Sequence, residues 1–468
     1  MPDLVTLGEC MVELFCDGSI SQAEKFFKAI GGDTLNTAVA AARLGSHAGF
    51  ISKFGDDPFA PFLNQELQRE RIDLTCCPTI PGINGLYLIA LGENGEREFT
   101  YYRTGSAASS LTPDDLNLDY IRSARILHSS GISQAISPTC RRAVHKAFQV
   151  ARAAGVRTSF DPNYRARLWS AQEARSALEE IIPLTDIFLP SAPDETQTLL
   201  QTTDPAKIHA WAQARGVPVS ILKQGDLGCV VATAGTLKQV DGLHNVRVVD
   251  TSGAGDAFNG AFLHGLLRGL EPVEAARLGV VTAGLKVEGR GASRSLPDRR
   301  RVADTVRDEP WAEKIFKPET GQKESTRDAR LSVHIDGGAR GNPGSAGAGV
   351  YLELAGRPWR GIYAFLGERT NNFAEYSALL IALEFALKEG FSQLEVYSDS
   401  QLLVRQILGI YRVKNPSLRN LHDRATSLIA RFKRFEIRHV RREQNWDADA
   451  LANKAIDRRS SGEDHYQS

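Results

Sequence analysis

The sequence predicts an α/β protein built as two successive domains, a larger one around a mostly parallel sheet and a smaller mixed one. Three observations predict it. Over the first 297 residues, apolar β-branched runs alternate with helical patterns, as βαβ units require. Residues 298–330 then carry 17 charged side chains in 33 positions, and their sparse apolar residues define no face. Beyond them the order changes to three strands, a helix and a strand, then helix, strand, helix. A chain of 468 residues also has room for more than one core at roughly 150 residues per domain.

The elements follow in order. LVTLGE (4–9) reads as a buried strand, TLNTAVAAARLG (34–45) as a helix closed by glycine, and HAGFISKFG (47–55) as the next strand, before a helix reaching Arg71. GLYLIALGENGEREFTYYR (85–103) breaks the alternation; two short strands flank a Glu93-Asn94-Gly95 turn, a hairpin signal. ARILHSSG, VRTSFDP, TDIFLPS and VPVSILKQG return as strands separated by helical stretches. These boundaries predict a first domain over 1–297, a solvated linker over 298–330, a second domain over 331–458 and a tail over 459–468. In the second domain LSVHIDGGARGNPGSAGAGVYLEL and GRPWRGIYAFLG read as strands, NNFAEYSALLIALEFALKEG as an amphipathic helix and LEVYSD as a strand.

Composition excludes several classes. The 42% hydrophobic and 24% charged fractions suit a folded protein rather than a disordered chain or a collagen. No apolar run is long enough to span a bilayer and no signal pattern opens the chain, so no membrane partner is expected. The six cysteines form no CxxC pair. They are expected to be reduced thiols in a cytoplasmic protein. The net charge of zero conceals an asymmetry: residues 405–442 hold eleven Lys and Arg against only Asp423 and Glu436. A basic block of that kind favours a polyanionic partner.

Two constellations carry chemistry. In the first, Asp250-Thr251-Ser252-Gly253-Ala254-Gly255-Asp256 ends a strand and opens the helix AFNGAFLHGLLRGL. Small residues at 252–255 let backbone N–H groups approach an anion, and the helix dipole favours negative charge there. Asp256 stands where it could take a proton from a hydroxyl. A second turn, Gly31-Gly32-Asp33-Thr34-Leu35-Asn36, sits where an earlier helix begins. Together these segments resemble the two signature regions of the ribokinase-like sugar kinases, over about residues 3–297. Within that family GECMVEL (8–14), GGDTLNTA (31–38), GLYLI (85–89), YYRTGSAAS (101–109) and DPNYRARLW (161–169) resemble the 2-keto-3-deoxygluconate kinases.

The resemblance implies a Rossmann-like ribokinase fold with a β lid drawn partly from the 85–103 hairpin. It implies ATP as co-substrate, phosphorylation of a sugar-acid hydroxyl, and a homo-oligomer through the lid as one form the chain could take. Asp256 matches the catalytic base, and Gly253, Ala254 and Gly255 match the anion hole. Gly32, Asp33 and Asn36 match the sugar-binding turn. Tyr87, Tyr101, Arg103 and Arg165 match the positions that hold the keto acid, and a planar guanidinium fork suits a carboxylate. Lys223 and Gly225 match positions flanking the nucleotide. One departure stands out: the family's Asn-x-x-Glu is here Ser191-Ala192-Pro193-Asp194-Glu195, so Asp194 or Glu195 supplies the acid.

The second constellation is four carboxylates. Asp336 follows the alternating strand LSVHI, Glu375 lies on the amphipathic helix, Asp399 ends LEVYS, and Asp449 opens the helix ADALANKAI. Acids at strand ends and helix starts can converge on a hard cation. Their contexts, Ile335-Asp336-Gly337-Gly338, Thr370-Asn371-Asn372-Phe373-Ala374-Glu375, Ser398-Asp399-Ser400-Gln401 and His439…Asn445…Asp449, resemble type 1 ribonuclease H over about 331–458. The resemblance implies a ribonuclease H fold that hydrolyses RNA in an RNA–DNA hybrid with Mg²⁺ or Mn²⁺. Asp336, Glu375, Asp399 and Asp449 match the metal-binding acids, and His439 matches a mobile histidine of the catalytic cycle. Asn342, Thr370, Asn371 and Gln401 match contacts to the hybrid. Arg405, Arg412, Lys414, Arg419 and Arg424 are candidates for phosphate. The competing assignments are a kinase of fructose or a ribose-type sugar, and a second domain that only binds hybrids.

Overall fold

The computed structural model describes residues 2–91, 97–316, 330–354 and 357–465. It divides into two compact units, Met1–Lys317 and Pro318–Ser468. Among the described residues no helix is long and apolar enough to cross a membrane, and no disulfide joins any of the six cysteines.

The first unit is built on a nine-stranded sheet. Seven strands run parallel, in the order Val219–Lys223, Ile187–Phe188, Arg157–Asp161, Ile126–Ser130, Leu4–Leu7, Ala48–Ile51, Asp73–Cys76. Cys229–Thr233 and Thr236–Val240 extend one edge antiparallel. Leu4–Leu7 and Ile126–Ser130 are buried throughout, as the central strands of a covered parallel sheet are, and Ile126–Ser130 buries His128, Ser129 and Ser130 beside its apolar residues. The chain leaves Leu4–Leu7 toward Ala48–Ile51 on one side and returns at Ile126–Ser130 on the other. The crevice beyond the carboxyl ends of these strands is therefore a topological switch point, where open α/β sheets bind ligands. Two cores flank the sheet. One gathers around the Ala254–Leu267 and Pro272–Lys286 helices; the other gathers around Pro138–Ala153.

A separate four-stranded sheet forms the lid, in the order Phe27–Gly31, Met11–Asp17, Gly85–Leu91, Arg97–Tyr102. The last two pair antiparallel, as the hairpin signal predicts. The Glu93-Asn94-Gly95 turn between them lies outside the described residues.

The boundary after residue 297 needs correcting. Residues 299–316 are not a solvated linker. They form the helices Arg299–Thr305 and Ala312–Phe316, which send Val302, Val306, Trp311 and Ile315 into the first core. Arg299 adds hydrogen bonds to the carbonyls of Leu44 and Ile315, at 2.5 and 2.6 Å. Charge dominates the composition because the outward faces are charged, while the few apolar residues all point inward.

The second unit is a six-stranded mixed sheet, in the order Arg434–His439, Gln393–Ser398, Arg330–Gly341, Gly344–Leu354, Arg357–Arg369, Gly462–His465. The long hairpin is antiparallel and Gln393–Ser398 joins Arg330–Gly341 in parallel. Leu331, Val333 and Ile335 alternate toward the core that the Asn371–Lys388 helix covers. Ser332, His334 and Asp336 alternate toward the other face, over part of which lies the Trp446–Arg458 helix. The predicted tail is a second correction. Gly462–His465 pairs with Arg360–Tyr363 as an edge strand; its sequence, GEDH, carries no apolar alternation by which to recognise it.

Candidate active sites

The first unit holds a cleft of about 1180 Å³ that touches the lid and the strand ends. Fourteen residues proposed from the sequence meet there: Gly32, Asp33, Asn36, Tyr87, Tyr101, Arg103, Arg165, Lys223, Gly253, Ala254, Gly255 and Asp256, with Asp194 and Glu195 from the altered acidic motif. Gly225 is not among the lining residues.

The floor is the turn before the Ala254–Leu267 helix. Gly253 caps that helix with φ +74°, a conformation that favours glycine. The Asp250 carboxylate fastens the turn by accepting from the N–H groups of Ser252 and Gly291, both at 2.8 Å. Lys286, fully buried, donates to the Asp250 carbonyl at 2.9 Å. The Ala254 N–H bonds back to the Thr251 carbonyl at 3.1 Å, whereas those of Gly255 and Asp256 have no preceding helical carbonyl to bond, which leaves this turn suited to an anion.

Asp256 lies on that first turn, 8% exposed. Asn36 donates to its Oδ2 at 2.8 Å. Burial, then the Asp33 charge, push its carboxyl up to about 7. Asp33 in turn accepts from Asn163 at 3.0 Å. Beneath the turn Lys223 donates to Asp161 at 2.6 Å and to Asn259 at 3.3 Å. A methyl group built on Gly255 would stand 3.6 Å from the Lys223 ammonium. Lys223 thus belongs to the floor of the cleft, and lies close to the anion turn. Between the two candidate acids of the altered motif, the structure distinguishes clearly. Glu195 accepts from the N–H groups of Ser191 and Tyr164, at 2.8 and 2.7 Å, and burial together with Asp161 pushes it up to about 7. Asp194 is exposed.

At the lid end, Tyr101 stacks on Tyr87 with ring centroids 5.5 Å apart. The Arg103 guanidinium sits 4.2 Å from the Tyr101 ring centre. The Tyr87 hydroxyl is held by Glu13. Arg103 is ion-paired to Glu9 at 2.5 Å, and Glu9 is only 1% exposed. Burial raises the Glu9 carboxyl to about 7 even though Arg103 lowers it. Arg165 is exposed at the mouth and donates to the Tyr164 carbonyl. Arg167, beside it, donates to the lid carbonyl of Phe99 at 2.8 Å.

Sequence reasoning missed Glu9, Asp161, Asn163 and Arg167. All four lie inside quoted motifs, GECMVEL and DPNYRARLW. Asp161 was recoverable by the logic applied to Asp399, since it ends a central strand. The Glu9–Arg103 pair spans 94 positions, and no local pattern announces it.

In the second unit Asp336, Glu375 and Asp399 come together, with one carboxylate oxygen from each lying within 4.8 Å of the others. Two glycines permit it. A methyl group on Gly337 would stand 2.1 Å from the Glu375 nitrogen, and one on Gly349 would stand 2.1 Å from the Ala448 carbonyl oxygen. Both helices therefore approach the sheet closely at Asp336 and its cross-strand partner Gly349. Asp336 is pushed up to about 7 by burial and by Asp399 and Asp449. Glu375 is raised well above its ordinary value by burial, then by Asp336 and Asp399. Its Oε2 is buried with no hydrogen-bond partner among the described residues. Oxygen ligands that repel one another, with one Glu375 oxygen lacking a donor, fit a hard cation.

Asp449 is near enough to act on Asp336, yet it accepts from Arg442 at 3.1 Å and Asn453 at 3.0 Å. Asn445, missed as a functional residue, donates to the Ile335 carbonyl at 2.9 Å and to Asp399 at 3.2 Å. His439 ends its strand opposite Ser398, one residue from Asp399, and is exposed. Asn342, Thr370 and Asn371 cluster: Asn371 accepts from the Ala339 N–H at 2.7 Å, and its own N–H donates to Asn342. Thr370 caps the Asn371–Lys388 helix. Gln401 is exposed at the start of the helix after Asp399. In the basic block, Arg405 packs on Tyr411 and Arg424 pairs with Glu384, whereas Arg412 and Lys414 are exposed.

Comparison with known proteins agrees with this geometry. Residues 1–299 match the pfkB family carbohydrate kinase model, and residues 334–455 match the reverse transcriptase-like model. A 2-dehydro-3-deoxygluconokinase of Thermoproteus tenax is 34% identical, over 66% of this chain and 95% of the relative. A fructokinase of Solanum tuberosum is 36% identical, over 56% of this chain and 79% of the relative. A sugar kinase of Pyrococcus horikoshii, solved in complex with ATP, superposes with a TM-score of 0.56 at 27% identity, covering 67% of this chain and all of that one. The chain belongs to the pfkB family of carbohydrate kinases and carries a ribonuclease H-like domain behind its kinase fold.

Proposed function

We propose that the first site transfers the γ-phosphoryl group of ATP to a hydroxyl of a keto sugar acid, with 2-keto-3-deoxygluconate as the preferred substrate. The observation that carries this reading is a single cleft holding a buried carboxylate on an anion-binding turn at one end and guanidinium groups at the other. Asp256 accepts the hydroxyl proton as the oxygen attacks phosphorus; Asn36 keeps its carboxylate aimed. The first-turn N–H groups and the nearby Lys223 ammonium stabilise charge that grows on the transferred group. Arg103 and Arg165 take the substrate carboxylate. The sugar-acid kinase of T. tenax supports the choice.

A specific observation also favours a second reading. Arg103 already spends one nitrogen on Glu9, which leaves less of its fork for a carboxylate, and a fructokinase is among the relatives. A neutral ketose such as fructose suits that arrangement. Steady-state kcat/KM on a panel of 2-keto-3-deoxygluconate, fructose and ribose separates the two. The acid reading expects the keto acid to lead by tenfold or more, and a lead for fructose overturns it.

We propose that the second site hydrolyses RNA in RNA–DNA hybrids. The carboxylate cluster with an unpartnered Glu375 oxygen carries this reading. Asp336, Glu375 and Asp399 would hold Mg²⁺ or Mn²⁺, with Asp449 joining on release from Arg442. A divalent cation bound there supplies an activated water and stabilises the leaving oxygen. Asn445 orients Asp399, and the exposed Arg412 and Lys414 meet phosphates. The test is cleavage of a labelled hybrid with and without divalent cation. RNA-strand products that require the cation support the reading; binding without cleavage under either cation leaves a hybrid-binding module.

A further inference from the structure

We infer that Trp446 forms a stacking site for one unpaired nucleotide beside the second active site, so that this domain prefers hybrids that carry an unpaired nucleotide next to the scissile position. The inference rests on the hydrolase reading above.

Trp446 is 68% exposed, the highest value among the large hydrophobic residues exposed in the structure. Single exposed apolar residues are common, so exposure alone decides nothing. Position decides. Asn445, the preceding residue, is 1% exposed and is tied to the Ile335 carbonyl and to Asp399. The backbone that carries the indole is thereby fastened to the carboxylate cluster. Trp446 is also the first residue of the Trp446–Arg458 helix. Residues three apart share a helix face, so its indole and the Asp449 carboxylate lie on one side, one turn apart.

The indole has no internal task. Trp311 packs in the first core, Trp169 and Trp211 against the second, and Trp359 against the core of the second unit. Trp446 belongs to none of these clusters. The exposed Arg438, His439, Arg441 and Arg442 precede the indole in sequence; Arg438 pairs with Glu395 and Glu436 and Arg442 with Asp449, and Arg441, whose side chain pairs with no acid among the described residues, favours a phosphate over an apolar protein surface.

The ligand follows from geometry. In a continuous A-form duplex the base faces are already stacked on one another and the grooves offer only edges. An indole at the surface can cover a base face only where a base is unpaired. Stacking of this kind is sequence-tolerant, because every base has such a face.

The test uses the intact chain in chelator, so that bound substrate is not cut. Two 12-base-pair RNA–DNA hybrids are compared, one blunt and one with a single unpaired 2-aminopurine at an RNA end. Gel retardation reads affinity, and 2-aminopurine emission reads stacking. The parent is expected to bind the overhang hybrid about tenfold more tightly than the blunt one, within the range one aromatic–base stack supplies, and to quench the probe. Trp446→Ala is expected to bind both alike without quenching, and Trp446→Phe to keep part of both effects. Equal binding by the parent, or a preference that survives in Trp446→Ala, overturns the inference while leaving the hydrolase reading intact. A concentration-dependent dimer lost in Trp446→Ala, without quenching in the parent, would also overturn it by assigning the indole to a second copy. If the parent neither retains a hybrid at low salt nor cleaves one with Mg²⁺ or Mn²⁺, the hydrolase reading falls and the inference falls with it.

Discussion

Replacing Trp311 by alanine is expected to destabilise the kinase unit severely, although composition alone places this residue in a solvated linker. Trp311 is 5% exposed and packs in the first core beside Val302, Val306 and Ile315, exposed by 0%, 1% and 3%. Truncating a buried aromatic to alanine costs about 3–5 kcal/mol, from lost transfer energy and the cavity left behind. Total stabilities are about 5–15 kcal/mol, so this loss would consume a large share. A residue in a solvated segment would change stability by no more than about 0.5 kcal/mol. The two accounts therefore differ by severalfold. Urea unfolding of the intact chain, followed by far-UV circular dichroism and by loss of phosphoryl transfer, measures the difference. Arg300→Ala serves as control, because the Arg300 side chain is 90% exposed. A Trp311→Ala midpoint indistinguishable from that of the control would refute the packing argument and restore the linker.

Asp256→Asn should lower phosphoryl transfer by roughly 10²–10⁴-fold yet raise stability. Burial holds the native carboxyl at about 7, so the folded chain keeps a proton that the unfolded chain releases between pH 4 and 7. The parent consequently loses this contribution as pH rises through that window; the variant, which keeps the raised Glu9, Glu195 and Asp336 carboxyls, loses less. Thermal melts should coincide near pH 4 and differ by a few degrees at pH 8, and an unchanged melt at pH 8 would count against the burial argument. For the parent, kcat/KM should fall about tenfold per pH unit below 7 as the base becomes protonated. Arg165→Ala should raise KM for the keto acid about tenfold with little change for ATP, because one charge-assisted hydrogen bond is lost; equal effects on both substrates would contradict the carboxylate assignment. Asp399→Asn should abolish hybrid cleavage while hybrid binding persists and weakens steeply with added salt, and salt-independent binding would remove phosphate contacts from the account.

How much of this was legible in the sequence depends on how local each signal is. The parallel sheet was legible because short strand-like segments alternate with helical patterns over the first 297 residues. Asp256, Asp336 and Asp399 were legible as acids at strand or helix ends. What escaped are contacts made across the fold. Val302 and Val306, and likewise Trp311 and Ile315, are four apart, with Val306 and Trp311 just outside the two short helices, and the charged residues around them outweigh four apolar residues in any composition window. The edge strand at 462–465 exists only because Arg360–Tyr363 offers it a partner. Glu9 and Arg103 find each other through the lid rather than through neighbouring sequence. The approach of the Asn371–Lys388 helix to Gly337 sets the distance between Asp336 and Glu375, and spacing along the chain carries no trace of it.

The central claim is that one chain carries two separate catalytic centres. Phosphorylation of 2-keto-3-deoxygluconate and cleavage of an RNA–DNA hybrid, measured side by side on the intact parent, Asp256→Asn and Asp399→Asn chains, test it most directly. The account predicts that the parent performs both reactions, that Asp256→Asn loses only the first and that Asp399→Asn loses only the second. Loss of both activities in either variant, or retention of the targeted activity at the parent rate, would contradict it.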